Sequence, residues 1–243
     1  MKRLGTLLLL AALIACASAG AADHVALNVY AAASLTDVLP QIDSAEHYSF
    51  AGSNALAAQI TQGAPADVFA SANTTLPAQL YAKGIVLKPV VFTRNTLVLI
   101  VPTSNPANIH TAFDLRRDGI KLVIAQPAVP VGGYTLQILK NMGLGDVQKN
   151  VVSRESDVRE VLAKVALGEA DAGFVYSTDA RTVKGKVTVI KLPAWAQPKV
   201  QYGVAVVAAS PNRAAAQAFV TKLLAKPAQA KLIAAGFLTR VKK

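Results

Sequence analysis

The polar residues of this sequence that could do chemistry share one setting: the end of an apolar stretch, one or two small residues, then the start of a helical pattern. It occurs at Ala33-Ser34-Leu35, at Gly52-Ser53-Asn54, near Pro130-Val131-Gly132-Gly133 and at Ser156-Asp157-Val158. The first turn of a helix carries N–H groups without intrahelical partners. A serine placed there has two uses: its oxygen caps those groups, or it leaves them and its own O–H free to hold an anion. Any one of these turns alone reads as ordinary capping. Several at the mouth of one open sheet point to a ligand, because such sheets bind outside the carboxyl ends of their strands.

Covalent catalysis finds less support. His24, His47 and His110 lie outside these turns and read as surface or loop residues, and the sequence contains no G-x-S-x-G elbow, H-E-x-x-H helix, P-loop or G-x-G-x-x-G. A triad assembled in space around one of the serines stays open as an alternative. Glu155 and Asp157 read as solvated capping groups, since a carboxylate facing an oxyanion would repel it. Asp67, just after Pro65, reads as fixing a turn. Tyr176, at a strand end, is either a core residue with a satisfied hydroxyl or a donor to a ligand.

The elements that must position these turns alternate. Val25 to Ala32 is an apolar, β-rich stretch, followed by a short helix opened by Ser34-Leu35-Thr36-Asp37. Tyr48 to Ala51 is a second strand, and Ser53 leads a helix with Leu56, Ala57 and Ile60 at helical spacing. Asp67 to Ala70 is a third strand, then a helix from Leu76 to Lys83 closed by Gly84. This order predicts an open α/β sheet with right-handed crossovers. Residues 95 to 102 (NTLVLIVP) and 201 to 207 (QYGVAVV) are two further strands that bracket a second alternating set. That set has a turn with a short helix near Phe113, strand Lys121 to Ala125, helices Tyr134 to Met142 and Val158 to Leu167, and strands Ala172 to Tyr176 and Val187 to Ile190. The helices Arg213 to Leu224 and Pro227 to Ala235 return to the first set. The expected organisation is two domains, residues 23–93 with 201–243 and residues 94–200, with a cleft between them.

Composition narrows the setting. With 53% hydrophobic residues among 243, the chain can bury a large core. Met1-Lys2-Arg3, an apolar run from Leu7 to Cys16 and small residues to Ala22 have the layout of a secretory signal peptide over residues 1–22. Leu13-Ile14-Ala15-Cys16 also resembles a lipobox, which would put a lipid anchor on Cys16. Either reading exports the protein, to the periplasm. Cys16 is the only cysteine, so no disulfide framework or cysteine metal site is expected. Lys and Arg total 25 against 14 Asp and Glu. This excess is scattered and not interleaved with aromatics, which favours an anionic solute over nucleic acid.

Four stretches, VYAAASLTDVL, FAGSNALAAQITQGAPADVFASA, VPVGGYTLQIL and SDVREVLAKVALGEADAGFVYSTDA, resemble in order and spacing the periplasmic molybdate-binding proteins of ABC importers, the ModA family. The likeness also takes in RNTLVLIVP and QYGVAVV. It implies a two-domain periplasmic binding protein of type II, each domain an open mixed sheet flanked by helices, with the ligand in the cleft at the hinge. It places the family's oxyanion contacts on the hydroxyls of Ser34 and Ser53, the backbone at Val131 and Val158, and the hydroxyl of Tyr176, all meeting oxygens and none the metal itself. Gly133, where the family often has a larger side chain, would leave that turn less rigid. The resemblance further implies a ligand, molybdate or tungstate, with no cofactor and no chemical step. It implies an ABC transporter permease as partner, no nucleic acid, and a membrane met only through that transporter or a lipid. The protein is expected to be a monomer. A sulfate or other oxyanion receptor is the runner-up, and an exported serine hydrolase or a sensor domain are the other readings. Donors alone suit an anion that carries no proton, whereas sulfate, also unprotonated, is excluded only by size.

Overall fold

The computed structural model describes residues 24–240; the signal-peptide and lipobox readings lie outside them. Ten strands and eight α-helices follow in chain order. These are β1 (Asn28–Ala32), α1 (Leu39–Ile42), β2 (His47–Ala51), α2 (Ser53–Thr61), β3 (Val68–Ser71), α3 (Thr75–Ala82), β4 (Val90–Asn95) and β5 (Leu97–Pro102). They continue as β6 (Leu122–Ala125), α4 (Pro130–Asn141), β7 (Val151–Glu155), α5 (Val158–Ala166), β8 (Ala172–Tyr176) and α6 (Ser177–Thr182). Last come β9 (Val187–Lys191), β10 (Val200–Val206), α7 (Arg213–Leu224) and α8 (Lys226–Ala234).

The strands form two mixed five-stranded sheets, in the orders β2-β1-β3-β10-β4 and β7-β6-β8-β5-β9. In the first, β1 pairs in parallel with β2 and β3, and β10 runs antiparallel to β3 and β4. In the second, β6 pairs in parallel with β7 and β8, and β5 runs antiparallel to β8 and β9. The sheets therefore share one plan. In each, a parallel three-stranded wing is wound by crossover helices around its central strand, which puts the topological switch point beside β1 and beside β6. The central strands show the continuous burial expected under helices on both faces: β3, β5, β6 and β8 are buried at every residue.

Strand β4 and helix α6 were not expected, and three further features depart from the pattern read in the sequence. The strand expected from residue 95 to 102 is broken at Thr96: β4 ends in the first sheet and β5 begins the second. Strand β7 was missed because Val151–Glu155 alternates on an edge and ends in Arg154 and Glu155, so it lacks the apolar run of a central strand. Helix α4 starts at Pro130, four residues before the expected Tyr134, with its proline in the first turn where a missing N–H costs nothing.

Helix α5 lies close on the second sheet because Gly173 in β8 has no side chain. A Cβ there would stand 2.9 Å from Val161, 3.0 Å from Val165 and 3.1 Å from the Val123 carbonyl. Gly173→Ala should lower stability by about 1–3 kcal/mol through overpacking, as read from urea unfolding; an unchanged midpoint would mean that α5 is free to shift.

Candidate functional site

The six parallel strands of the two sheets end facing one another. Ala32, Ala33 and Ser34 at the end of β1, Ala51, Gly52 and Ser53 at the end of β2, and Ala72 after β3 line one side of a small cavity. Val129, Pro130 and Val131 after β6, Asp157 and Val158 after β7, and Tyr176 at the end of β8 line the other. The cavity offers about 10 Å³ to the centre of a water-sized sphere. That is about what one water-sized sphere needs, so a ligand there lies in close contact with the lining groups. The five residues singled out above, Ser34, Ser53, Val131, Val158 and Tyr176, all border it.

The local chemistry there is one-sided. Helices α2, α4 and α6 and the one-turn helix Ala33–Leu35 all begin at the cavity without a side-chain cap. Their first-turn N–H groups carry partial positive charge, although in α6 the Ser177 N–H is spent on the Thr96 carbonyl at 2.9 Å. Helix α5 is capped by Asp157, whose Oδ1 accepts from the N–H groups of Arg159 (2.6 Å) and Glu160 (3.2 Å); the Val158 N–H is not among those it takes. Asp157 thus acts as the sequence reading had it. Glu155 does not: it is buried and paired with Lys164 at 2.7 Å, because it ends a strand covered by α5. Asp67 ties three segments together, accepting from the Asn28 N–H at 2.8 Å and from the Ser210 hydroxyl at 2.5 Å and Asn212 amide at 3.3 Å.

Ser53 does not cap its helix. Gly52 is the cap residue, and the Ser53 oxygen instead accepts the Ala72 N–H at 3.0 Å. Among the described residues its own proton has no acceptor. Tyr176 is almost wholly buried and its hydroxyl has no hydrogen-bond partner among the described residues. Burial pushes the Tyr176 phenol well above its ordinary pKa, so it keeps its proton and is a donor. Ser34 is held at 2.9 Å from the hydroxyl of Tyr202, a buried residue of β10 that the sequence reading did not single out. The turn before α4 depends on Gly132 and not on Gly133. A Cβ on Gly132 would stand 2.1 Å from the Gln126 carbonyl, whereas one on Gly133 would make an ordinary 3.4 Å contact.

The two sides approach closely around the cavity. A Cβ on Gly52 would lie 2.4 Å from the Ser156 carbonyl, so only glycine lets the β2–α2 turn meet the β7–α5 turn. Arg159 bridges the same gap, reaching Asp37 at 2.5 Å on the first side and Asp179 at 2.8 Å on its own. Among the described residues no group of three His, Cys, Asp or Glu side chains is placed to hold a cation.

Residues 27–238 match the family model described as bacterial extracellular solute-binding protein. The chain is 37% identical over 248 residues to the molybdate-binding protein ModA of Mycobacterium tuberculosis strain H37Rv, covering 95% of this chain and 94% of that one. It belongs to the ModA family. Among solved structures, the Azotobacter vinelandii periplasmic molybdate-binding protein superposes with a TM-score of 0.79 at 24% identity, covering 88% of this chain and all of that one. The sulfate-binding protein SubI of M. tuberculosis H37Rv superposes with a TM-score of 0.75 at 23% identity, covering 88% and 86%. These two likenesses establish the periplasmic-binding-protein fold, which ModA proteins share with receptors for other solutes.

One carboxyl beside the site titrates unusually. Burial pushes Asp179 up from 3.8 to about 6, against the opposing pull of Arg159. Protonation of this group therefore favours the folded chain: its contribution to stability is present below about pH 4 and is lost as pH rises through about 6. Asp179→Asn should remove that component, so the difference in melting temperature between variant and wild type should shift in the variant's favour from pH 4 to pH 7. A constant difference across this range would mean that Asp179 titrates normally.

Proposed function

We propose that the chain is an exported binding protein that captures molybdate, and also tungstate, in this cavity and presents it to an ABC transporter permease, with no chemical step. The observation that carries the reading is the Tyr176 hydroxyl: a buried donor without an acceptor, in a cavity whose other polar side chains are the Ser34 and Ser53 hydroxyls and Asp157, which is engaged by the first turn of α5. An orphaned buried hydroxyl costs about 1–3 kcal/mol, and an anion oxygen would relieve it. Ser34, Ser53, the N–H groups at Val131 and Val158, and Tyr176 are its proposed contacts. Each hydrogen bond to a charged oxygen contributes about 1.5–3 kcal/mol, and each helix N-terminus about 0.3–2 kcal/mol. Together these offset the dehydration of a dianion.

In this reading residues 1–22 are the secretory signal, and the sheets belong to two lobes, residues 23–93 with 201–243 and residues 94–200. The chain crosses between the sheets at Thr96 and again between Lys191 and Val200, and we take these crossings as the hinge. Gln197 braces it, accepting the Leu97 N–H at 3.1 Å and donating to the Leu97 carbonyl at 2.7 Å. The approach of Gly52 to Ser156 and the Arg159–Asp37 pair are contacts of the closed form. The serine-hydrolase alternative needs a base beside Ser34 or Ser53, and among the described residues no histidine lines the cavity.

Tyr176→Phe tests the reading directly. It should weaken molybdate binding about 10-fold or more by isothermal titration while leaving the melting temperature of the free protein unchanged or raised, because no protein hydrogen bond is lost. Ser53→Ala should likewise weaken binding, by about 1.5 kcal/mol or more. Wild-type affinity in both variants would remove molybdate from this cavity. Gly52→Ala should also weaken binding, by opposing closure, with a small-angle scattering profile that stays open at saturating molybdate; normal compaction would mean that the two turns do not need to meet.

A further inference from the structure

A serine hydroxyl can donate or accept, and which it does toward a ligand is set by its other neighbour. At Ser34 that neighbour is Tyr202, and a buried chain of hydrogen bonds decides the direction. The chain starts at Asn95, the last residue of β4. Its Oδ1 accepts the Thr96 N–H at 2.9 Å and the Ser177 hydroxyl at 3.0 Å. A backbone N–H only donates, so this end of the amide must be the oxygen. The amide nitrogen then faces the Thr178 hydroxyl at 2.9 Å and the Tyr202 oxygen at 3.4 Å. The Tyr202 oxygen receives that N–H, and the Ser34 oxygen, 2.9 Å away, is the one acceptor in hydrogen-bond geometry for its single proton among the described residues. Tyr202 is fully buried, and burial pushes its phenol well above its ordinary pKa, so the proton stays in place. With the Tyr202 proton placed on that acceptor, Ser34 accepts from the protein and its own proton is left for the cavity.

We propose that Tyr202, oriented by Asn95, is a positioning residue that makes Ser34 an obligate donor, and that the pair sets the preference of the site for a fully deprotonated tetrahedral oxyanion over one that carries a proton. The proposal rests on Ser34 touching the bound anion. If the direction were reversed, with Ser34 donating to Tyr202, a serine lone pair would face the ligand. It would repel molybdate and accept the P–OH of hydrogen phosphate. Ser53 has the matching arrangement, with the Ala72 N–H on its oxygen, so both hydroxyls meet the cavity proton first.

The test is a double-mutant cycle on the full chain: wild type, Tyr202→Phe, Ser34→Ala and the double variant, each titrated with molybdate and with inorganic phosphate at pH 7. Ser34→Ala is expected to weaken molybdate binding about 10-fold or more. Tyr202→Phe is expected to weaken it about 5-fold when Ser34 is present and less than about 2-fold in the Ser34→Ala background, because it acts through that serine. The ratio of phosphate to molybdate affinity should rise in Tyr202→Phe, a change that mere loosening of the hinge would not produce. Equal losses in both backgrounds would overturn the relay and leave Tyr202 a packing residue. Wild-type affinity in Ser34→Ala would instead overturn the placement of the ion against Ser34, and the relay with it. If Tyr202→Phe fails to fold, Asn95→Asp serves: it keeps the acceptor for Thr96 but offers Tyr202 no donor. Its added charge lowers affinity in both backgrounds, and the loss is expected to be larger with Ser34 present than in Ser34→Ala; equal losses would overturn the relay.

Discussion

A buried donor without an acceptor raises the free energy of a protein by about 1–3 kcal/mol, and folded chains avoid leaving several in one place. Here the avoidance fails at one point. The unpartnered hydroxyl of Tyr176, the Ser53 proton and the first turns of several uncapped helices all meet at one small cavity. The rest of the structure can be understood as what holds this arrangement in place. Two sheets of the same plan bring the carboxyl ends of six parallel strands together, and only that end of a parallel strand delivers a helix N-terminus. Glycines at 52 and 132 allow backbone to pass where any Cβ would collide with a carbonyl.

Selectivity follows from the same constraint. Donors in fixed directions favour negative charge, and a ligand that must donate finds among the described lining side chains only Asp157, whose Oδ1 is held by the first turn of α5. Nearby negative charge is balanced in part: Asp157 caps the N-terminus of α5, and Arg159 pairs with Asp37 and with Oδ1 of Asp179, whose Oδ2 is buried without a partner among the described residues. The excess of Lys and Arg over Asp and Glu is spread over the chain and acts as a general attraction for anions at a distance, screened by salt.

Much of this was legible in the sequence because strand–turn–helix units announce themselves through apolar runs that stop at small polar residues. Ser34, Ser53 and the Val131 and Val158 turns were marked that way, and they border one cavity. What stayed hidden has physical causes. Edge strand β7 lacks an apolar run, because its side chains alternate between exposed and partly buried. The break at Thr96 is invisible because β4 and β5 are both strand-like and only the sheet changes between them. Glu155 looks like a surface carboxylate until Lys164 is placed over it. Tyr202 and Asn95 lie 168 and 61 positions from Ser34 in sequence, and only the fold puts the three in one hydrogen-bonded chain.

The central claim is that a tetrahedral oxyanion sits in this cavity and is held by donors alone. The most direct measurement is anomalous diffraction at the molybdenum absorption edge from crystals grown with molybdate. The account predicts one strong peak between the Ser53 and Tyr176 hydroxyls, with the surrounding oxygens facing the two serines, Tyr176 and the N–H groups of Val131 and Val158. A peak elsewhere on the molecule, or one with a carboxylate in contact with the ion, would contradict it.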